Sequence, residues 1–256
     1  MDLRVLSLLL ALFTSFEPVN RSEAGQWFNQ AREHFEKQQW EASRAAAQKA
    51  LQFDPRFAEA EVLLGLIAKL QAQLQEAERH LKRAIELEPS NPQTHSLLSG
   101  IYLEQKRLSE AESGYRLVLK LKPGNSVALY NLALIALLRS QPDQALQNFT
   151  QVYRENPKDA SALLGLLETQ LLLKRNIDAR QSAQKIDELL TPTDPRLFQA
   201  ATLLAMHQEY TSAISILERL KKNDPRSFDV HYNLALAYLR IGKNAQAAQA
   251  VVAQLS

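Results

Sequence analysis

Pro55, Pro89, Pro123 and Pro157 stand 34 residues apart, and two periods further on Pro225 falls on the same register. A small residue precedes each of them by 12 positions: Ser43, Ala77, Ala111, Ala145 and Ala213. Ala179 and Ala247 keep the beat where the proline is missing or lies beyond the end of the chain. The stretch Glu76 to Glu88 reads as an amphipathic helix stopped by Pro89, because proline clashes with a continuing helix and drives the residue before it out of the α region. A sequence self-similar at this period folds as a stack of like units, each burying its apolar face on its neighbours instead of in one shared core.

Counting each proline as position 32 sets the repeats at 24–57, 58–91, 92–125, 126–159, 160–193, 194–227 and 228–256. Position 8 is small in most of them (Ala31, Gly65, Ser99, Ala133, Ala201, Ala235), and position 20 is Ala in all but the first, which has Ser43. Helices that approach to about 8–10 Å need small residues where they cross. Larger apolar side chains surround these slots at i, i+3, i+4 and i+7: Leu64, Leu98, Leu132, Leu166 and Leu234 at position 7, and Leu81, Tyr115, Phe149, Leu217 and Val251 at position 24. Few glycines and much Ala, Leu, Gln, Glu, Lys and Arg fit a helical chain. The spacing predicts two antiparallel helices per repeat, near positions 1–14 and 18–31, in an all-α solenoid.

Period, small residues and terminal proline resemble the tetratricopeptide repeat. Tyr130-Asn131-Leu132-Ala133 followed by Tyr153, Tyr232-Asn233-Leu234-Ala235-Leu236-Ala237-Tyr238, and the run from Ala213 to Pro225 carry the resemblance, which spans residues 25–256. It implies a right-handed superhelix of about fourteen helices and a role in binding other proteins. Departures are present: Trp stands at position 4 only as Trp27, and glycine at position 15 only as Gly242. Repeat 5 carries Leu167 at position 8 and no proline at 32, so Thr191-Pro192-Thr193-Asp194-Pro195 is expected to distort the stack.

In such repeats the first helices line a concave groove. Carried over slot by slot, that implies partner contact through Phe28, Arg32, Val62, Leu66, Lys69, Tyr130, Asn131, Leu134, Leu164, Glu168, Phe198, Thr202, Tyr232, Asn233 and Leu236, with Leu138, Leu172, Met206 and Leu239 at neighbouring groove positions. Much of this set is apolar, and a contiguous exposed apolar patch of more than a few hundred Å² calls for a cover. The competing reading is that positions 9, 12 and 13 pack between repeats. A two-carboxylate clamp does not assemble around Asn131: the preceding repeat offers Ser96 and Gly100, the following one Ser161 and Gly165, and the cations that would neutralise a terminal carboxylate are missing.

Signs of catalysis are absent from the sequence. None of the five histidines stands in an H-E-x-x-H arrangement, there are no cysteines, and the glycines form no phosphate loop. His95 and His231 share position 4, which argues for a structural slot. The reading is a non-enzyme with no cofactor, no metal and no small-molecule substrate. With 30 basic and 28 acidic residues and no long Lys/Arg run, a nucleic-acid partner is not expected either.

Both termini differ from the array. Arg4 followed by the apolar run Val5 to Phe13 has the length of a secretory signal and is too short for a bilayer span of about 20 residues. Ser22-Glu23-Ala24 offers the processing site, giving a signal peptide over 1–24 and an exported protein, periplasmic or secreted; the alternative is an uncleaved membrane tether. From Asn244 to Ser256 no side chain is charged, and alanines and valines fall on more than one face. That edge is expected to pair with a second copy or another protein, since repeat arrays usually finish on a polar cap. Three functions remain in competition: an adaptor holding a partner segment, a self-assembling structural protein, and a tethered component of an envelope assembly.

Overall fold

The computed structural model describes residues 23–252. Within them lie fourteen helices and no strand: α1 Glu23–Glu36, α2 Trp40–Phe53, α3 Ala58–Leu70, α4 Leu74–Leu87, α5 Pro92–Glu104, α6 Leu108–Leu121, α7 Ser126–Leu138, α8 Pro142–Glu155, α9 Ala160–Leu172, α10 Asn176–Leu189, α11 Pro195–Met206, α12 Tyr210–Asn223, α13 Phe228–Arg240 and α14 Asn244–Val252. This is an all-α helical solenoid, and its helices fall where the 34-residue register puts them. Of the expected signal peptide, only Glu23 and Ala24 are among the described residues, as the first two of α1.

The chain forms two compact units, Met1–Ala128 and Leu129–Ser256. In the first, α1 packs on α2, α3 on α4 and α5 on α6, and each pair meets the next through α2 with α3 and α4 with α5. In the second, α9–α10, α11–α12 and α13–α14 pair in the same way, and the first helices α9, α11 and α13 also touch in sequence.

Position 20 is buried in every repeat, from Ser43 to Ala247. The Ser43 hydroxyl, the one departure from alanine, donates to the Ala31 carbonyl at 2.7 Å, so the polar atom is satisfied inside the contact. In repeat 2, position 8 is matched in size to position 24. A Cβ on Gly65 would stand 2.9 Å from Leu81 Cγ, so glycine there makes room for a leucine. Repeat 5 reverses the exchange: Leu167 is fully buried, and position 24 is Ala183, also buried. A second exchange crosses a repeat boundary, where a Cβ on Gly165 would come within 2.5 Å of the Phe149 ring.

All seven first helices end alike. The residue at position 15 has positive φ: Gln38 (58°), Ala72 (59°), Lys106 (61°), Ser140 (57°), Lys174 (55°), Gln208 (67°) and Gly242 (76°). In the second repeat the Gln73 amide returns to the Ala68 carbonyl and the Ala72 amide to Lys69, and the other six turns repeat both bonds. This pair of bonds is the Schellman motif, whose left-handed residue is ordinarily glycine. Six of the seven turns hold it with an L-residue.

In several loops between repeats a side chain caps the helix that follows. Asn91 Oδ1 accepts from the Gln93 and Thr94 amides with Pro92 at the first helical position, and Asp159 caps Ser161 and Ala162. Repeat 5 departs from the others as its missing proline suggests. The residues that close α2, α4, α6, α8 and α12 have φ near −130° and ψ near +90°, whereas Leu190 after α10 has φ −97° and ψ 144°. The Arg219 guanidinium crosses from α12 to the Asp187 carboxylate at 2.6 Å and the Leu190 carbonyl at 2.8 Å, tying this loop down.

Candidate concave binding surface

The groove residues expected from the sequence divide by burial. In the first unit Phe28, Val62 and Leu66 are buried in one apolar cluster, and Phe28 packs on the Phe57 ring at 5.0 Å. In the second unit Leu164 is buried because α11 lies against α9. These four side chains pack in the core and, at 8% exposed or less, leave little surface for a partner. Arg32 is half-buried. Lys69 is half-exposed and paired with Glu104 at 2.8 Å, which leaves this part of the first unit polar and charge-balanced.

Tyr130 and Leu134 in the second unit are half-buried and pack against its core, with the Tyr130 ring edge-on to Phe149 at 5.5 Å. Burial, and then the nearby carboxylates of Asp159 and Glu168, push the Tyr130 hydroxyl above its usual pKa. Arg196 borders this region, held by Asp194 at 2.6 Å and donating to the Ser161 hydroxyl at 3.2 Å. Asn131, Glu168, Phe198 and Thr202 are half-buried, and Thr202 returns its hydroxyl to the Phe198 carbonyl. Asn233 donates to the Asp229 carbonyl at 2.8 Å, so its amide serves its own helix.

Tyr232 and Leu236 are exposed, and they are not alone. Along α13, Phe228, Tyr232, Leu236 and Leu239 are 64%, 52%, 42% and 54% exposed, an apolar stripe running the length of the helix. Phe228 and Tyr232 stack with their rings 6.0 Å apart and nearly parallel. Leu138, Leu172 and Met206, all at position 13, end α7, α9 and α11 with exposed side chains. Phe228 was not expected here, since position 1 is outside the groove slots; the aromatic pair at i and i+4 with Tyr232 was the available signal.

Three of the histidines make bonds that hold the fold. His95 Nε2 donates to the Pro89 carbonyl and His231 Nε2 to the Pro225 carbonyl, both at 2.8 Å, so position 4 ties the first helix to the end of the preceding repeat. His80 Nδ1 meets the Glu61 carboxylate at 2.5 Å. Among the described residues no group of three or more acidic or histidine side chains is placed to hold a metal, and no helix is long and apolar enough to cross a membrane.

Family models described as tetratricopeptide repeat match residues 68–138, 129–192 and 198–255. Solved structures share the fold. PilF of Pseudomonas aeruginosa is 22% identical with a TM-score of 0.66, over 81% of this chain and 94% of that one. PilW, a widely conserved type IV pilus biogenesis factor, is 18% identical with a TM-score of 0.70, over 84% of this chain and 100% of its own. YrrB, described as having an unusual peptide-binding site, is 17% identical with a TM-score of 0.59, over 72% and 95%. No curated protein matches the sequence.

Proposed function

The chain belongs to the tetratricopeptide repeat family, whose fold supports a protein–protein interaction scaffold, and from that premise we propose that it is a non-enzymatic adaptor holding a partner segment on the concave side of its second unit. The observation that carries this reading is the exposed apolar stripe of α13; Leu138, Leu172 and Met206 are further exposed apolar side chains, at one repeat position of other first helices. Solvent contact along so much apolar surface is unfavourable by roughly 25 cal/mol per Å², and a partner that covers it recovers that energy. The reading is supported by the chain's likeness in fold to YrrB, which is described as having an unusual peptide-binding site. An uncharged, apolar segment matches the surface better than a carboxylate terminus.

The experiment is chemical cross-linking and affinity recovery from the native host with the wild-type chain and with Tyr232→Ser/Leu239→Ser. Both side chains are more than half exposed, so the variant should keep the wild-type melting midpoint. Loss of one defined partner from the variant supports the surface; equal recovery with both chains refutes it. Tyr130 and Leu134, which brace the core, would confuse binding with stability.

Export is part of the same proposal and rests on Arg4 and the run Val5 to Phe13. Mass spectrometry of the native protein should find an N-terminus near Gly25, and an intact N-terminus in the membrane fraction would favour the tether instead. A second reading, self-association through α14, draws on the exposure of Val251 and Val252. Light scattering that shows a monomer at all concentrations, unchanged by Val251→Lys, excludes it.

A further inference from the structure

Slots that earlier repeats cover are uncovered in repeat 7. Position 24 is buried in all six preceding repeats, from Ala47 to Leu217, but Val251 is exposed. Positions 5, 9 and 12 are buried or half-buried in those six repeats, whereas Tyr232, Leu236 and Leu239 are exposed. The cause is visible inside the second unit. Leu164 at position 5 and Leu171 at position 12 are buried in α9, and the next first helix, α11, lies against it. Position 24 is covered by a following first helix too: a Cβ on Gly165, at position 6 of α9, would come within 2.5 Å of the Phe149 ring in repeat 4. Among the described residues no first helix follows α13. The other end of the array is finished differently. Positions 3, 7 and 10 of α3 are Ala60, Leu64 and Ile67, buried in one cluster with residues of α1 and α2. The same slots of α13 hold Val230, Leu234 and Ala237, also buried. In α1, which no repeat precedes among the described residues, they hold Gln26, Gln30 and Glu33, all exposed.

We infer that the end face formed by α13 and α14 seats an amphipathic helix of a partner protein, laid down as an eighth first helix with apolar residues at i, i+4 and i+7. The inference rests on the reading of α13 as the binding surface and specifies what covers it. Continuity argues for a helix: the packing that runs from α9 to α11 and from α11 to α13 has the same slots available on the free side of α13. Phe228, Tyr232 and Leu236 follow one i, i+4 row, and such ridges pack into the grooves of a neighbouring helix. Partner helices of this kind are read through anchors at helical spacing. Polarity argues against a second copy stacked head to tail. The start of the array would bring Gln26, Gln30 and Glu33 onto an apolar face, where amides and a carboxylate lose water and find no partner. From Asn244 to Val252 α14 has no charged side chain to receive them.

The test is fluorescence anisotropy of labelled helical peptides titrated with the full chain. The probe has the sequence of α3, residues 57–71, with Ala60, Leu64 and Ile67 at positions 3, 7 and 10. Its control carries Ala60→Gln, Leu64→Gln and Ile67→Glu, the letters of α1 on that one face. A staple between positions 5 and 9 holds both peptides helical, since free helices of this length are marginal in water. The probe should bind at least about tenfold more tightly than the control, because two large apolar side chains are buried only in the probe. Leu236→Arg and Val251→Arg, both at exposed positions, should each lower the affinity by about tenfold or more by placing a cation in the contact. Leu138→Arg, exposed at the end of α7, should leave it unchanged. Equal binding of the two peptides, or binding untouched by Leu236→Arg and Val251→Arg, overturns the assignment. A dimer in light scattering that Val251→Arg dissociates overturns it in favour of a second copy on the same face. If Tyr232→Ser/Leu239→Ser loses a native partner while the probe fails to bind, the surface stands and the helical occupant falls; if neither effect is seen, both fall.

Discussion

Replacing Ala72 by glycine should stabilise this protein, although glycine within a helical protein is ordinarily costly. Ala72 sits at φ 59° in the turn between α3 and α4, where an L-residue is strained by about 1–2 kcal/mol. Glycine removes that strain and gives back about 0.5–1 kcal/mol through the greater freedom of its unfolded chain. The net gain is about 0.5–1 kcal/mol, and alanine has no side-chain bonds to lose. Ser140 and Lys174 occupy the same place in other repeats with φ of 57° and 55°, so the triple variant should gain about 2 kcal/mol if distant sites add. Urea unfolding followed by circular dichroism reads this directly, with the midpoint rising by a few tenths molar per substitution. Two controls fix the sign. Gly242→Ala, at φ 76°, should lower the midpoint, and Gln147→Gly, exposed inside α8, should cost about 1 kcal/mol. If Ala72→Gly destabilises as Gln147→Gly does, the left-handed turn is not the source of strain and the argument fails.

Leu167→Ala removes a fully buried side chain that fills the space beside Ala183 and should cost about 2–5 kcal/mol in a urea melt. Gly165→Ala puts a methyl within 2.5 Å of the Phe149 ring and should lower stability, with Phe149→Leu in the same chain restoring part of the loss; no rescue would mean the ring is not the obstacle. Burial pushes Glu78 up, but hydrogen bonds from Lys82 and Arg107 outweigh it and hold the carboxyl below its usual pKa. A depressed carboxyl contributes stability above its unfolded pKa of about 4.3 and loses it as pH falls through the folded value. Glu78→Gln should therefore flatten the fall in melting midpoint over that acidic range, and identical acid profiles would remove Glu78 from the explanation.

The proline period made the helix boundaries legible, because a residue that cannot continue a helix marks its end whatever the tertiary context. Position 20 was equally legible: one slot, one size, buried throughout. Position 8 was less so, since Leu167 reads as a violation until Ala183 is set beside it, and size complementarity belongs to pairs of positions instead of single ones. The groove was legible only as a set of slots. Whether Leu164 or Tyr232 meets solvent depends on whether another first helix lies against it, and the residue letter holds no record of that. The left-handed turns left almost no trace, because helix termination dictates the conformation at position 15 and six different turns accept a strained residue to satisfy it.

The fit of Phe149 into the space left by Gly165 makes the order of the repeats part of the structure. Removing residues 160–193 would preserve the register of every helix, yet it would set Phe149 against Gln199, the residue at the same slot one repeat later. Units that look alike in period are therefore keyed to their neighbours, and a shortened or shuffled array keeps its helices while losing its joints. Recombination between such repeats is silent only where both sides of the new joint happen to match in size, which narrows the routes by which this array can lengthen or contract.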